Sequence, residues 1–126
     1  MQTIKVLLAS RPKMLSDVIK NLVERQPDMH VVAEVLDPIE LLIAVKATPV
    51  DAVIVTPLDL EVESRLCRHL LEENSQLRIV TLSATGDAAI LYESCSRKKR
   101  IDQPSGQSIL DAIRKSISQN QKETKQ

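Results

Sequence analysis

Four short runs rich in β-branched residues stand out along the chain: Ile4 to Ala9 (IKVLLA), Val31 to Val35 (VVAEV), Ala52 to Val55 (AVIV) and Leu77 to Leu82 (LRIVTL). Runs this short and this apolar suit strands covered on both faces, because a strand wet on one side alternates apolar with polar residues. Helical patterns lie between them. Leu15, Val18, Ile19, Leu22 and Val23 keep the 3.6-residue period, as do Val62, Leu66, Cys67, Leu70 and Leu71. The segment DPIELLIAVKA sets Asp37 as N-cap, Pro38 at the first helical position and Glu40 two residues on, a helix start in the capping-box style. Beyond Leu82 the pattern predicts a short helix around Asp87 to Glu93, a weak fifth strand in RKKRI (residues 97–101), and a last helix whose face carries Ile109, Leu110, Ile113 and Ile117. Strand and helix then alternate throughout, which predicts an α/β domain built on a parallel sheet with right-handed crossovers. The expected domain covers residues 1–118, and the polar residues 119–126 are expected as a disordered tail.

Composition narrows the classes of function. A chain of 126 residues suits one domain with a real core. Its 17 Lys and Arg balance 17 Asp and Glu, so no global field draws it toward nucleic acid or an anionic membrane. Cys67 and Cys95 lack the spacing of a CxxC or Cys/His ligand set, and the opening MQTIKVLL lacks the layout of a signal peptide. A cytoplasmic protein with reduced thiols is therefore expected. No apolar run approaches the roughly 18 residues that suggest a membrane span, so no membrane partner is expected. His30 and His69 show no metal spacing. The run RKKR at 97–100 reads as a solvated edge strand whose like charges discourage edge-to-edge pairing; with no aromatics interleaved, it is a poor nucleic-acid surface.

The stretch IKVLLASRPKMLSDVIKNLVERQPDMHVVAEV resembles the opening of a bacterial response-regulator receiver domain. The likeness runs from Ile4 to about Ile117 and fades between Asp87 and Asp102. It implies a flavodoxin-like, doubly wound, five-stranded parallel sheet of order 2-1-3-4-5 with helices on both faces, and a site at the carboxyl ends of the strands. In an active receiver two acidic residues end strand one and a phospho-accepting Asp ends strand three; together they hold Mg²⁺ through hard oxygen ligands. A Ser or Thr follows strand four, and a Lys follows strand five. Carried onto this chain, the acidic pair becomes Ser10 and Arg11, the acceptor becomes Thr56, Ser83 keeps the hydroxyl position, and the Lys position falls near Asp102, with Lys99 and Arg100 close by. The aromatic position falls on Lys99, while Tyr92, the chain's one aromatic, lies earlier. The loop SATGDA (83–88) also has the hydroxyl-rich look of a flavodoxin phosphate loop, but it follows strand four instead of strand one and has no second aromatic to stack a flavin.

A threonine hydroxyl cannot form an acyl phosphate and is a poor nucleophile without a positioned base. The resemblance therefore implies a pseudo-receiver with a vestigial pocket of Ser10, Arg11, Thr56, Ser83 and Asp102, no metal, no cofactor and no enzymatic activity. The plainer reading of the same residues has Ser10 and Thr56 satisfying loop backbone, Ser83 capping a turn, and Arg11 reaching solvent. The expected function is that of a stand-alone, phosphorylation-independent interaction module in two-component or phosphorelay signalling, with a histidine kinase, an output protein or a second copy as partner. Receivers commonly pair through helix four, strand five and helix five; the corresponding face here holds Tyr92, Arg97, Lys98, Lys99, Arg100 and Arg114. Two alternatives stay open: a receiver still phosphorylated, on Asp59, and a small DNA-associated regulator using the 97–100 run.

Overall fold

The apolar runs form the centre of one sheet. A computed structural model describes residues 3–9, 13–35, 38–56, 60–73, 77–83, 88–94, 97–101 and 106–124. In chain order the elements are β1 (Ile4–Ala9), α1 (Lys13–Glu24), β2 (Met29–Glu34), α2 (Pro38–Ala47), β3 (Ala52–Val55), α3 (Leu60–Glu73), β4 (Arg78–Leu82), β5 (Ala89–Ser94), β6 (Arg97–Ile101) and α4 (Gly106–Thr124). The strands lie in the order β2-β1-β3-β4-β5-β6. β1 to β4 are mutually parallel, whereas β5 runs antiparallel to β4 and β6 antiparallel to β5.

Period-two alternation sends the strand side chains into two apolar layers. Val6, Leu8, Ile54, Val80 and Leu82 pack with Ile19 and Val23 of α1 and with Ile109, Leu110 and Ile113 of α4. Their neighbours Leu7, Val53, Val55 and Ile79 pack with Leu41 and Val45 of α2 and with Cys67, Leu70 and Leu71 of α3. Helices on both faces are the reason these strands lack a polar side. Each fully buried Leu, Ile or Val contributes roughly 1.5–3 kcal/mol by leaving water. At the amino ends of the strands Asp51 ties the sheet together: its carboxylate accepts the Lys5 N–H at 2.9 Å, its own N–H donates to the Lys5 carbonyl, and its carbonyl accepts the Arg78 N–H. Gly106 opens α4 directly against Leu22 of α1, whose side chain occupies the space a Cβ would need. α2 begins at Pro38, where the capping pattern places a helix start.

The sheet departs from the expected parallel, five-stranded form. The stretch expected as a helix around Asp87 to Glu93 contains strand β5 instead, and RKKRI is the sixth strand, at the edge. Two physical reasons decide it. Ala89 and Leu91 turn into the α1/α4 layer while Tyr92 turns to the other, a period of two that no helix keeps. Only residues 83–88 separate β4 from β5, too few for a parallel crossover of about a dozen residues or more, so the chain must return antiparallel. The fold is thus α/β with a mixed sheet and, among the described residues, four helices. α4 also continues to Thr124, through residues expected as a tail; Gln, Lys and Glu are good helix formers.

Candidate functional site

Two places merit a functional reading, and the first is the carboxyl end of the parallel strands. Thr56 follows β3 and is fixed beside β1 by its N–H, which donates to the Ala9 carbonyl at 3.2 Å. Its residue is 9% exposed, and its hydroxyl has no hydrogen-bond partner among the described residues. Ser83 follows the neighbouring strand β4. Its N–H donates to the Ala88 carbonyl at 2.9 Å, and its Oγ accepts the Ala88 N–H at 3.2 Å, so it closes the loop into β5. Thr56 and Ser83 thus end adjacent parallel strands, as the sequence places them. Ser10, Arg11 and Asp102 of the expected pocket lie outside the described residues, as does Asp59. Among the described residues no cluster of His, Cys, Asp or Glu is arranged to hold a metal ion. His30 and His69 each meet a nearby carboxylate, Glu24 and Glu73, on the surface.

The second place is the edge made by β5, β6 and α4. Between the strands and the helix lies a groove of about 330 Å³. Leu91, Ile101 and Ala112 supply its apolar wall and Lys99 and Lys115 its cations; Arg100, at the alternate strand position opposite Ile90, also borders it. Glu93 and Asp111 also line it, but both are engaged. Ser116 Oγ donates to Glu93 Oε2 at 2.9 Å; Arg114 Nη1 and Gln107 Nε2 each donate to Asp111 Oδ1 at 3.0 Å. Lys99, Arg100 and Lys115 are exposed and form no ion pair among the described residues. The groove thus sets unpaired cations beside two carboxylates that already hold hydrogen bonds.

Behind the groove is a residue that strand patterning does not reveal. Arg78 opens β4 and is 4% exposed. Its Nε donates to Ser116 Oγ at 2.6 Å, and that hydroxyl passes its own proton toward Glu93, so guanidinium, hydroxyl and carboxylate form a relay across β4, α4 and β5. Burying a charge is tolerated only when it is paired in this way. Ser116 is buried, and its hydroxyl is committed on both sides, accepting from Arg78 and donating to Glu93. The one sequence signal was an arginine inside an otherwise apolar strand run.

The residues expected to form an interaction face divide. Lys99 and Arg100 line the groove, and Arg97 and Lys98 belong to the same edge strand. Tyr92 leans on the layer beneath α2 and α3, on the opposite side of the sheet from α4. Arg114 is occupied elsewhere: Nε and Nη2 grip both oxygens of Asp28, at 2.7 and 2.8 Å, and Nη2 also donates to Gln26. The Arg114 hydrogen bonds hold the Asp28 carboxyl below the usual carboxylate range, and Asp28 in turn raises Arg114. No helix among the described residues is long and apolar enough to cross a membrane. No protein family, curated protein or solved structure matches this chain.

Proposed function

We propose that this chain is a receiver-like interaction module that works without aspartyl phosphorylation, in the setting of two-component or phosphorelay signalling in the cytoplasm. The observation that carries the reading is Thr56: the strand position where a receiver keeps its phospho-acceptor holds a buried hydroxyl, and Ser10 and Arg11 replace the acidic pair. Support for the receiver likeness comes from the parallel order of β1 to β4 and from helices on both faces. β5 lies in the stretch where the receiver likeness implies a fourth crossover helix, so in this reading pairing through a helix-four face gives way to pairing through a sheet edge. The module has no enzymatic role in this reading, and its partner is another protein, drawn from the kinase, the output protein or a second copy.

The test is chemical. Incubation with acetyl phosphate and Mg²⁺ is expected to leave the intact mass unchanged, and millimolar Mg²⁺ to leave the thermal midpoint where it was, since a cation that does not bind the native state adds no linkage stabilisation. A hydroxylamine-labile phosphoryl adduct, on Asp59 or elsewhere, sinks the reading.

A further inference from the structure

We infer that the edge of β6 and the groove beside α4 accept an extended acidic peptide segment of a partner protein, added to the sheet as a seventh strand. This inference rests on the interaction-module reading and names the chemistry of its partner.

Three observations meet at this edge. Among the described strands β6 ends the sheet, so its residues that do not bond to β5 turn their N–H and C=O groups outward, a template for strand addition. The groove runs along the same edge, between β6 and α4, and offers room for side chains that a bound strand would send to that face. Its cations, Lys99 and Lys115, have no ion-pair partner among the described residues, while its two acids already hold hydrogen bonds from Ser116, Gln107 and Arg114. Main-chain bonds to an edge supply affinity, and side-chain pockets beside it supply selectivity. Here the selectivity is for carboxylates, with an apolar side chain of the peptide resting on Leu91, Ile101 and Ala112.

Charge also decides against a second copy. Two β6 strands paired across their free edges would set Arg97, Lys98, Lys99 and Arg100 against the same run, and like charges directly opposite each other destabilise a strand pair. The run that blocks self-pairing is the one that selects an acidic strand.

The probe is a capped octapeptide of alternating Glu and Val, titrated into the full chain at low salt and followed by backbone amide NMR and amide exchange; a Lys–Val peptide is the control. Shift changes and slowed exchange are expected on β6 and the facing turns of α4 with the acidic peptide alone, weakening as salt screens the contact. The Lys99→Glu/Lys115→Glu variant, checked for an unchanged thermal midpoint, is expected to bind at least about tenfold more weakly. Equal response to both peptides, shifts centred away from β6, or the same shifts from inorganic phosphate without slowed exchange on β6 overturn strand addition. Affinity capture separates this failure from failure of the broader reading. If the wild-type chain captures no protein, with or without acetyl phosphate, the module reading falls and the inference with it. If the Lys99→Glu/Lys115→Glu variant captures the same proteins undiminished and the peptide leaves β6 unprotected, the module reading stands and the acidic strand is ruled out.

Discussion

A buried hydroxyl without a hydrogen bond costs about 1–3 kcal/mol of desolvation, and the Thr56 hydroxyl at the end of β3 has no partner among the described residues. Valine keeps the shape and removes the polar atom, so Thr56→Val is expected to raise stability by about 1 kcal/mol in urea unfolding. A loss of similar size would mean that the hydroxyl serves a neighbouring loop. The position of Thr56 was legible from the AVIV run before it, because a short buried strand has to surface where the run stops. The state of its hydroxyl was not, since that depends on loops distant in sequence. Arg78 was illegible for the same reason at greater range. Ser116, which makes its burial tolerable, lies 38 residues away, and Glu93 another 23 from Ser116.

At the scale of elements, α4 is fastened at two levels: by apolar contact with the sheet, and by Arg114, which clamps it to the turn before β2 through Asp28. A bidentate, half-buried pair of this kind stabilises by more than an exposed one, and Arg114→Ala is expected to cost about 1–2 kcal/mol. Its pH dependence has a definite sign. The Asp28 carboxyl titrates lower in the folded chain than its ordinary value of 3.8. The contribution is therefore full above about pH 4 and is lost as the pH falls through the lower, folded value. Unfolding of wild type and Asp28→Asn between pH 7 and pH 2 is expected to show a steeper acid loss for the wild type; parallel curves would refute the clamp. Sequence periodicity located α1, α2, α3 and α4, whose apolar stripes and caps are local features. It misread Ala89 to Ser94, where Ala, Ile, Leu and Tyr are consistent with either period over so few residues, and where the short connection from β4 was the better guide.

For the whole molecule, the mixed sheet implies a gradient of local stability. β1 lies between β2 and β3, with Val6, Leu7 and Leu8 fully buried, while among the described strands β6 has a neighbour on one side only. Native-state amide exchange is expected to be slowest in β1 and β3 and fastest, among the strands, in β6. Protection in β6 equal to that in β1 would mean the edge is already covered in solution. The reversal of direction at β4 also separates two ways of assembling the sheet. Val6 finds Ala52 only after α1, β2 and α2 have been looped out, whereas Leu82 meets Ala89 across one short turn. Loop closure scales with the logarithm of loop length, so the first of these pairings costs about 1.5–2 kcal/mol more chain entropy than the second. The meander of β4, β5 and β6 is therefore a region of low contact order in a chain otherwise held by distant pairings, and substitutions that weaken the β1–β3 pairing are expected to slow refolding more than substitutions in the meander.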